Sequence, residues 1–360
     1  MISGVIENIF RLWRPKFTMN QFADAVIRED ATSAQVMLSA RAPTRNIFSF
    51  YFFCDKSKEA PPVRLEFKDK KIDVGFNIDG SAAWRREAAV QLFSAIDLLI
   101  YCRGISTGVI GFHTIDFACG PGLAFCSNRS DNTLVSDHCF VGYRGYQWLR
   151  DAFSKNHVPW DARRPIAFWR GSTTGLPSDV TADLRAIDRN ADHPFPLSGW
   201  RSLERIALCR YAKNNSIFDV GISNIAQIFD PSCEAELRSE GLMKDFSPPQ
   251  ELQLYKYHID IDGNVNTFAG LYFKLLSGSP VLKIESSRGF RQWYYDRLIP
   301  FENYVPVKSD LSDLLERVEW LRDHDLEAKR IGEAGRALAL SMTFKTEAER
   351  ARKAIIEHTA

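Results

Sequence analysis

Two short segments carry residue types suited to holding a phosphate. In the first, Gly263 permits a tight turn after the apolar strand candidate LYKYHIDI. Asn264, Val265, Asn266 and Thr267 then lead straight into a helix candidate that opens with Phe268. The unpaired N–H groups and positive dipole end of such a helix favour an anion, a diphosphate above all. The plainer reading is a routine strand-to-helix turn with Thr267 as N-cap, because the stretch has neither a full G-x-G-x-x-G nor a Walker pattern. The second segment, RGSTTG, follows the apolar run PIAFW. Arg170 offers a guanidinium fork, and the hydroxyls of Ser172 and Thr173 stand beside Gly171. If both runs are strands of one parallel sheet, the two turns meet along its carboxyl edge, where ligands bind.

Other clusters have a weaker claim. Asp260 and Asp262 form a D-x-D tripeptide whose carboxylates would share a strand face, as a divalent metal site requires, but chance D-x-D is common in a chain with 45 acids. Asp131, Asp137 and His138 are candidate bases, with solvated surface groups as the bland alternative. Cys119, Cys126, His138 and Cys139 lie close in sequence but fit no common zinc spacing, so buried free thiols are the simpler reading. The odd count of seven cysteines, without a C-x-x-C pair, suits a reducing compartment.

The elements that must position these groups divide the 360 residues in two. Aromatic and β-branched runs at 46–76 read as strands, 82–101 as a helix, 104–132 as loop and 143–156 as a helix. After a proline-bearing passage near 157–165, strand-like and helix-like segments alternate, which implies a parallel sheet covered on both faces. The last helix is expected from about 310, with Ser309 or Asp310 as cap. The expected organisation is an α/β domain over 1–160, a parallel-sheet domain over 161–340, and a terminal helix over 341–360 returning to the first domain. A formal net charge of +1 argues against nucleic acid as partner. No run approaches the length of a bilayer span. The N-terminal stretch lacks the pattern of a secretory signal. Val5, Ile6, Ile9, Phe10 and Trp13 fall on one helical face near Arg11, Arg14 and Lys16, which suits core docking or contact with a membrane surface.

The blocks FWRGSTTG, YKYHIDIDGNVNTF, LLSGSPVLK and QWYYDRLIPFENYVPVKSDLSDL, in this order, resemble glycosyltransferase family 90, the capsule-associated and protein O-glucosyltransferase group. The likeness runs over about residues 125–345. It implies a GT-B architecture, two Rossmann-like domains facing across a cleft. It also implies inverting transfer from a UDP-sugar with no metal and no other cofactor. Position by position it puts Arg170, Gly171, Ser172 and Thr173 near the nucleotide-sugar, and Gly263 to Phe268 beneath the diphosphate. Two arginines usual in the family's eukaryotic enzymes are replaced, one by Asp262 and one near Ala269, so Arg170 and backbone donors, or other cations such as Arg288 or Arg291, would have to neutralise the diphosphate. The family's catalytic aspartate aligns within 131–140, where the best register lands on Asn132 and leaves Asp131 and Asp137 as candidates. Glu285, just past the SPVLKI strand, is placed for a ribose hydroxyl. The implied acceptor is a glycan or glycolipid hydroxyl such as the lipopolysaccharide core, reached by a cytoplasmic enzyme at the inner membrane face. The rival is a non-catalytic sugar-nucleotide or glycan-binding module descended from such a transferase.

Overall fold

The computed structural model describes residues 17–42, 47–105, 107–176, 190, 199–228 and 230–359. The amphipathic stretch at 5–13 lies outside them. Alternation builds the first sheet. Phe48 and Phe50 of β1 (Phe48–Phe53), Val63, Leu65 and Phe67 of β2 (Val63–Lys68) and Ile72, Val74 and Phe76 of β3 (Lys71–Asn77) all point inward. They pack against helices α1 (Met19–Ile27), α2 (Ala31–Arg41) and α3 (Ala82–Tyr101). Thr18, Asp30 and Ser81 cap these helices by accepting backbone N–H bonds.

The stretch read as loop at 104–132 in fact holds β4 (Thr107–His113), β5 (Gly122–Ala124) and β6 (Cys126–Ser127). Glycines hid these strands. A Cβ on Gly122 would stand 2.4 Å from the carbonyl oxygen of Gly111, and one on Gly111 would stand 2.8 Å from the ring of Pro61. Close backbone approach therefore excludes the side chains that usually mark a strand. With β7 (Asn132–Leu134) the sheet order is β1-β3-β2-β4-β5-β7, parallel except at the β3-β2 and β2-β4 pairs. Helices α4 (His138–Gly142) and α5 (Gln147–Lys155) lead to the second unit.

The second sheet is wholly parallel, in the order β13-β11-β10-β8-β9. Its strands are β8 (Arg164–Ser172), β9 (Phe218–Asn224), β10 (Tyr255–Asp260), β11 (Val281–Ile284) and β13 (Val305–Val307). The connecting helices are α6 (Glu204–Ala212), α7 (Cys233–Ser239) and α8 (Phe268–Leu276), followed by α9 (Leu314–Asp323), α10 (Asp325–Ser341) and α11 (Phe344–Thr359). α9 opens at Leu314, later than expected, because Leu311 adopts φ 63° and Asp313 spends its carboxylate on the Lys308 N–H. Two α/β units with separate sheets are the architecture expected of GT-B, although the first sheet is mixed.

Three devices join the units. β12 (Arg291–Gln292) pairs antiparallel with β6. Val265 and Leu176 bury themselves in the first unit's core. Helix α11 lays Ala348, Ala351 and Ile355 into that same core, while Glu347 accepts bonds from Trp293 and Arg297 of the second unit. No described helix is long and apolar enough to cross a membrane. Glu347→Ala should lower unfolding free energy by roughly 1.5–3 kcal/mol, the worth of hydrogen bonds to a charged group, in urea denaturation. An unchanged midpoint would show that this junction contributes nothing.

Candidate active site between the two sheets

The chain order of the second sheet reverses between β8 and β10: β9 lies on one side of β8, and β10 with everything after it lies on the other. The crevice beyond the carboxyl ends at such a switch point is where open α/β sheets take ligands. RGSTTG leaves β8 and DGNVNT leaves β10 at that place. The two turns touch directly, the Gly175 N–H donating to Asn264 Oδ1 at 3.1 Å.

The guanidinium that binds them together is Arg205 of α6, a residue the motif reading passed over. It donates to Asp262 O (2.9 Å), Ser172 O (3.1 Å) and Thr174 Oγ1 (2.5 Å). A Cβ on Gly263 would sit 2.9 Å from Arg205 Nη2, so the glycine makes room for the clamp. Its sequence signal was an arginine three and four residues before Leu208 and Cys209, on the buried side of the helix.

Arg170 does not take the expected position. Phe168 and Arg170 alternate with Trp169 along β8, so both side chains lie on the same face of the sheet. There the Arg170 guanidinium stacks over Phe168 and donates to the Asp219 carbonyl (2.8 Å) and Asp219 Oδ1 (2.5 Å) of β9. It is held within the sheet face and leaves the turns to Arg205. Thr173 is likewise committed, its hydroxyl exchanging two 2.8 Å bonds with the backbone of Ala226. Gly171 lies against the Trp169 ring, and Ser172 Oγ meets Thr174 Oγ1 at 3.3 Å. Of the two substitute cations, Arg291 is exposed on β12, whereas Arg288 reaches back to the Leu176 carbonyl (3.2 Å) at the end of the first turn. Arg288 is thus the cation that stands beside the turns.

In the second turn Asn264, Val265 and Asn266 are buried and held by protein. Asn266 bonds Asp262 Oδ1 and the Phe290 carbonyl and accepts from the Cys126 thiol of the first unit. Thr267 does not cap α8; its hydroxyl donates to Asp260 Oδ1 at 2.7 Å. Half-buried Thr267, Phe268, Ala269 and Gly270 therefore begin a helix without a side-chain cap. Glu285 stands exposed just beyond β11.

Facing Asn264 from the first unit is a group the sequence reading missed, Asp116, in the loop after β4. Burial raises its pKa, while hydrogen bonds from Asn264, Gln91 and Glu87 pull the other way. The residue as a whole is half-buried. Had 107–113 been recognised as a strand, Asp116 would have stood out as a carboxylate at its carboxyl end.

Comparison with known proteins shows what the chain is similar to. Residues 202–345, which include Arg205, both members of the D-x-D tripeptide, the β10 turn and Arg288, match Glycosyl transferase family 90. Protein O-glucosyltransferase 3 of Homo sapiens is 36% identical over 169 residues, 44% of this chain and 32% of that protein. Residues 202–345 of this chain are thus similar to glycosyltransferase family 90. Protein 179R of Invertebrate iridescent virus 6 is 29% identical over 50% of this chain and 16% of its own length. The chain thus spans a third or less of these curated relatives. Among solved structures, HepE of Anabaena in complex with UDP-glucose is similar at TM-score 0.35 and 11% identity, over 59% of this chain and 52% of that one. Sucrose-phosphate synthase of Thermosynechococcus elongatus is similar at TM-score 0.35 and 9% identity, over 84% and 86%.

Neither expected aspartate is placed as a base. Asp131 lies at the surface in a two-pronged pair with Arg129 (2.8 and 2.5 Å), which holds its pKa low. Asp137 is fully buried and caps α4 through the Phe140 N–H at 2.9 Å. Burial pushes it up to about 7, but no acceptor reaches a carboxyl with no exposed surface. Asn132, where the family alignment fell, ties Ser127 Oγ to the Gly120 carbonyl. Of the imagined zinc ligands, His138 and Cys139 stand together, 3.2 Å apart, beside Asp137, while the Cys126 thiol faces Asn266.

The D-x-D carboxylates do share a face, and lysines occupy it. Asp260 meets Lys274 Nζ at 2.7 Å and Lys283 Nζ at 3.4 Å, and Lys283 lies 3.8 Å from Asp262. Burial works against the Asp260 carboxylate, yet the two ammonium groups bring its pKa down to about 2. The stability this contributes is complete above about pH 4 and is lost as pH falls toward 2, where the folded state too must take up the proton. Asp260→Asn should therefore destabilise the protein at pH 6 by leaving buried ammonium groups unpaired, and the deficit should shrink steadily between pH 4 and pH 2.5. A deficit independent of pH in thermal melts would contradict the pairing.

Proposed function

We propose that this chain transfers a sugar from a UDP-sugar to an acceptor hydroxyl with inversion, Asp116 acting as base. The observation that carries the reading is the place of Asp116, in the loop at the carboxyl end of β4, where Asn264 of the switch-point turn is near enough to favour its ionised form. It sets a carboxylate beside the place where the fold presents a diphosphate. In the proposed step the acceptor oxygen gives its proton to Asp116 and forms a bond to the anomeric carbon from the side opposite UDP. The bond from that carbon to the diphosphate oxygen breaks, and UDP leaves with the electron pair. The negative charge that grows on UDP meets Arg288 and the uncapped start of α8, donors whose interaction strengthens as the bond breaks. Glu285, on the same carboxyl edge, takes a ribose hydroxyl.

A metal-free reaction is part of the proposal. It is supported by the engagement of both D-x-D carboxylates with lysines, which balance their charge. The proposed acceptor is a glycan hydroxyl on a cell-surface glycan such as the lipopolysaccharide core. The relatives named for protein O-glucosylation define the competing acceptor, a hydroxyl on a protein side chain. Cytoplasmic work at the inner membrane face is proposed as well, supported by seven free cysteines.

UDP should bind in isothermal titration with equal affinity in EDTA. Asp116→Asn should keep that affinity and lose turnover by roughly 10²–10⁴-fold, the usual worth of a general base, whereas Asp131→Asn should leave both intact. Turnover is read as UDP released from a donor panel with glycolipid or protein acceptors. UDP binding with neither donor hydrolysis nor transfer would favour the non-catalytic module, and transfer to protein alone would replace the glycan acceptor.

A further inference from the structure

Asp116 does not stand alone. Its carboxylate and the carboxyl of Glu87, which projects from the first two turns of α3, flank one side-chain amide. The Gln91 amide, one turn further on, donates to both acids through the same nitrogen, to Glu87 Oε1 at 3.1 Å and to Asp116 Oδ1 at 3.3 Å. Among the described residues neither acid forms an ion pair; the arginines next to Glu87 are taken elsewhere, Arg85 by Glu29 and Arg86 by Asp24. Two carboxyls gathered at one amide nitrogen without a cation between them repel each other when both are ionised, which favours a proton on one of them.

The two sites differ in a way that fixes which one. Burial raises the Asp116 pKa, and the Gln91 amide it accepts from, with Asn264 nearby, works against that rise. Glu87 accepts from Gln91 alone and feels the charge of Asp116. The other titratable groups that sense Asp116 are the thiols of Cys126 on β6 and Cys139 on α4, both kept neutral by burial.

We infer that Glu87 and Asp116 form a proton-sharing pair in which Glu87 keeps the proton and donates to Asp116, positioning Asp116 as the ionised base. The inference rests on the transferase reading above and deepens it. Before transfer the pair holds one proton; taking the acceptor's proton on Asp116 brings it to two. Glu87 is the exposed member. It releases its proton to water, the new proton passes from Asp116 to Glu87, and the pair returns to its starting state.

Two variants separate donation from mere packing. Glu87→Ala removes the donor and should lower kcat about ten- to a hundredfold, the range for one hydrogen bond to a charged group. Glu87→Gln can still donate and should recover most of that loss. A second readout needs no activity. Because the folded protein keeps the Glu87 proton to higher pH than the unfolded chain does, the wild type loses stability from this source as pH rises above the ordinary glutamate range. Gln does not titrate, so the Tm of Glu87→Gln minus that of wild type should grow between pH 5 and pH 9. A flat difference, or equal losses in the Ala and Gln variants, overturns the pair. Absence of UDP binding and of turnover in the wild type would instead overturn the transferase reading, while the melts would still decide whether the proton is shared.

Discussion

The buried guanidinium of Arg205 is the interaction on which the site depends. It draws the carbonyls of Ser172 and Asp262 to one cation and so fixes the spacing of two turns that leave different strands. Burial works against its charge and brings its pKa down to about 10, and Asp260, Asp262 and Glu204 oppose that fall. A cation in this position is stable only when its donors are met by oxygens, and backbone carbonyls at strand ends are the acceptors the fold supplies. The clamp explains why Gly263 must lack a side chain, and why Asn264 is presented to Gly175 on one side and to Asp116 on the other.

Beneath the clamp lies a second layer of charge with a different logic. Lys283 has two carboxylates nearby and is held ionised against its burial, whereas Lys274 has one and is pulled down by burial and by neighbouring cations. Asp260 is the shared anion, and it also takes the Thr267 hydroxyl. The residue expected to cap α8 is thereby turned inward, and the helix start is left to the crevice. A sequence pattern that invites a metal thus becomes a rigid floor under an anion-facing helix.

Much of this was legible in the sequence, for reasons that can be named. Alternation marked β1 to β3, the 3.6-residue period marked α3, and the strand–turn–helix succession marked the parallel sheet whose switch point brings RGSTTG and DGNVNT together. What failed was reading direction from type. Arg170 looked like the phosphate cation because it opens the motif, but strand pleating sends it to Asp219. Asp131 and Asp137 looked like bases because they lie in a polar stretch, yet one is neutralised by Arg129 and the other is enclosed at a helix cap. Asp116 was invisible because Gly108 and Gly111 broke up the signature of the strand before it.

Placing Asp116 and the switch-point turn on different units has a physical consequence. Asp116 faces Asn264 from the other unit, and the Cys126–Asn266 contact and the β6–β12 pairing cross between units as well. Asn264 also accepts from the first turn, so any shift of that turn is felt at Asp116 through one short side chain. An occupant of the crevice that moves the turn would alter how well the Asp116 charge is solvated. The proton affinity of Asp116 and occupancy at the turn are therefore linked through Asn264.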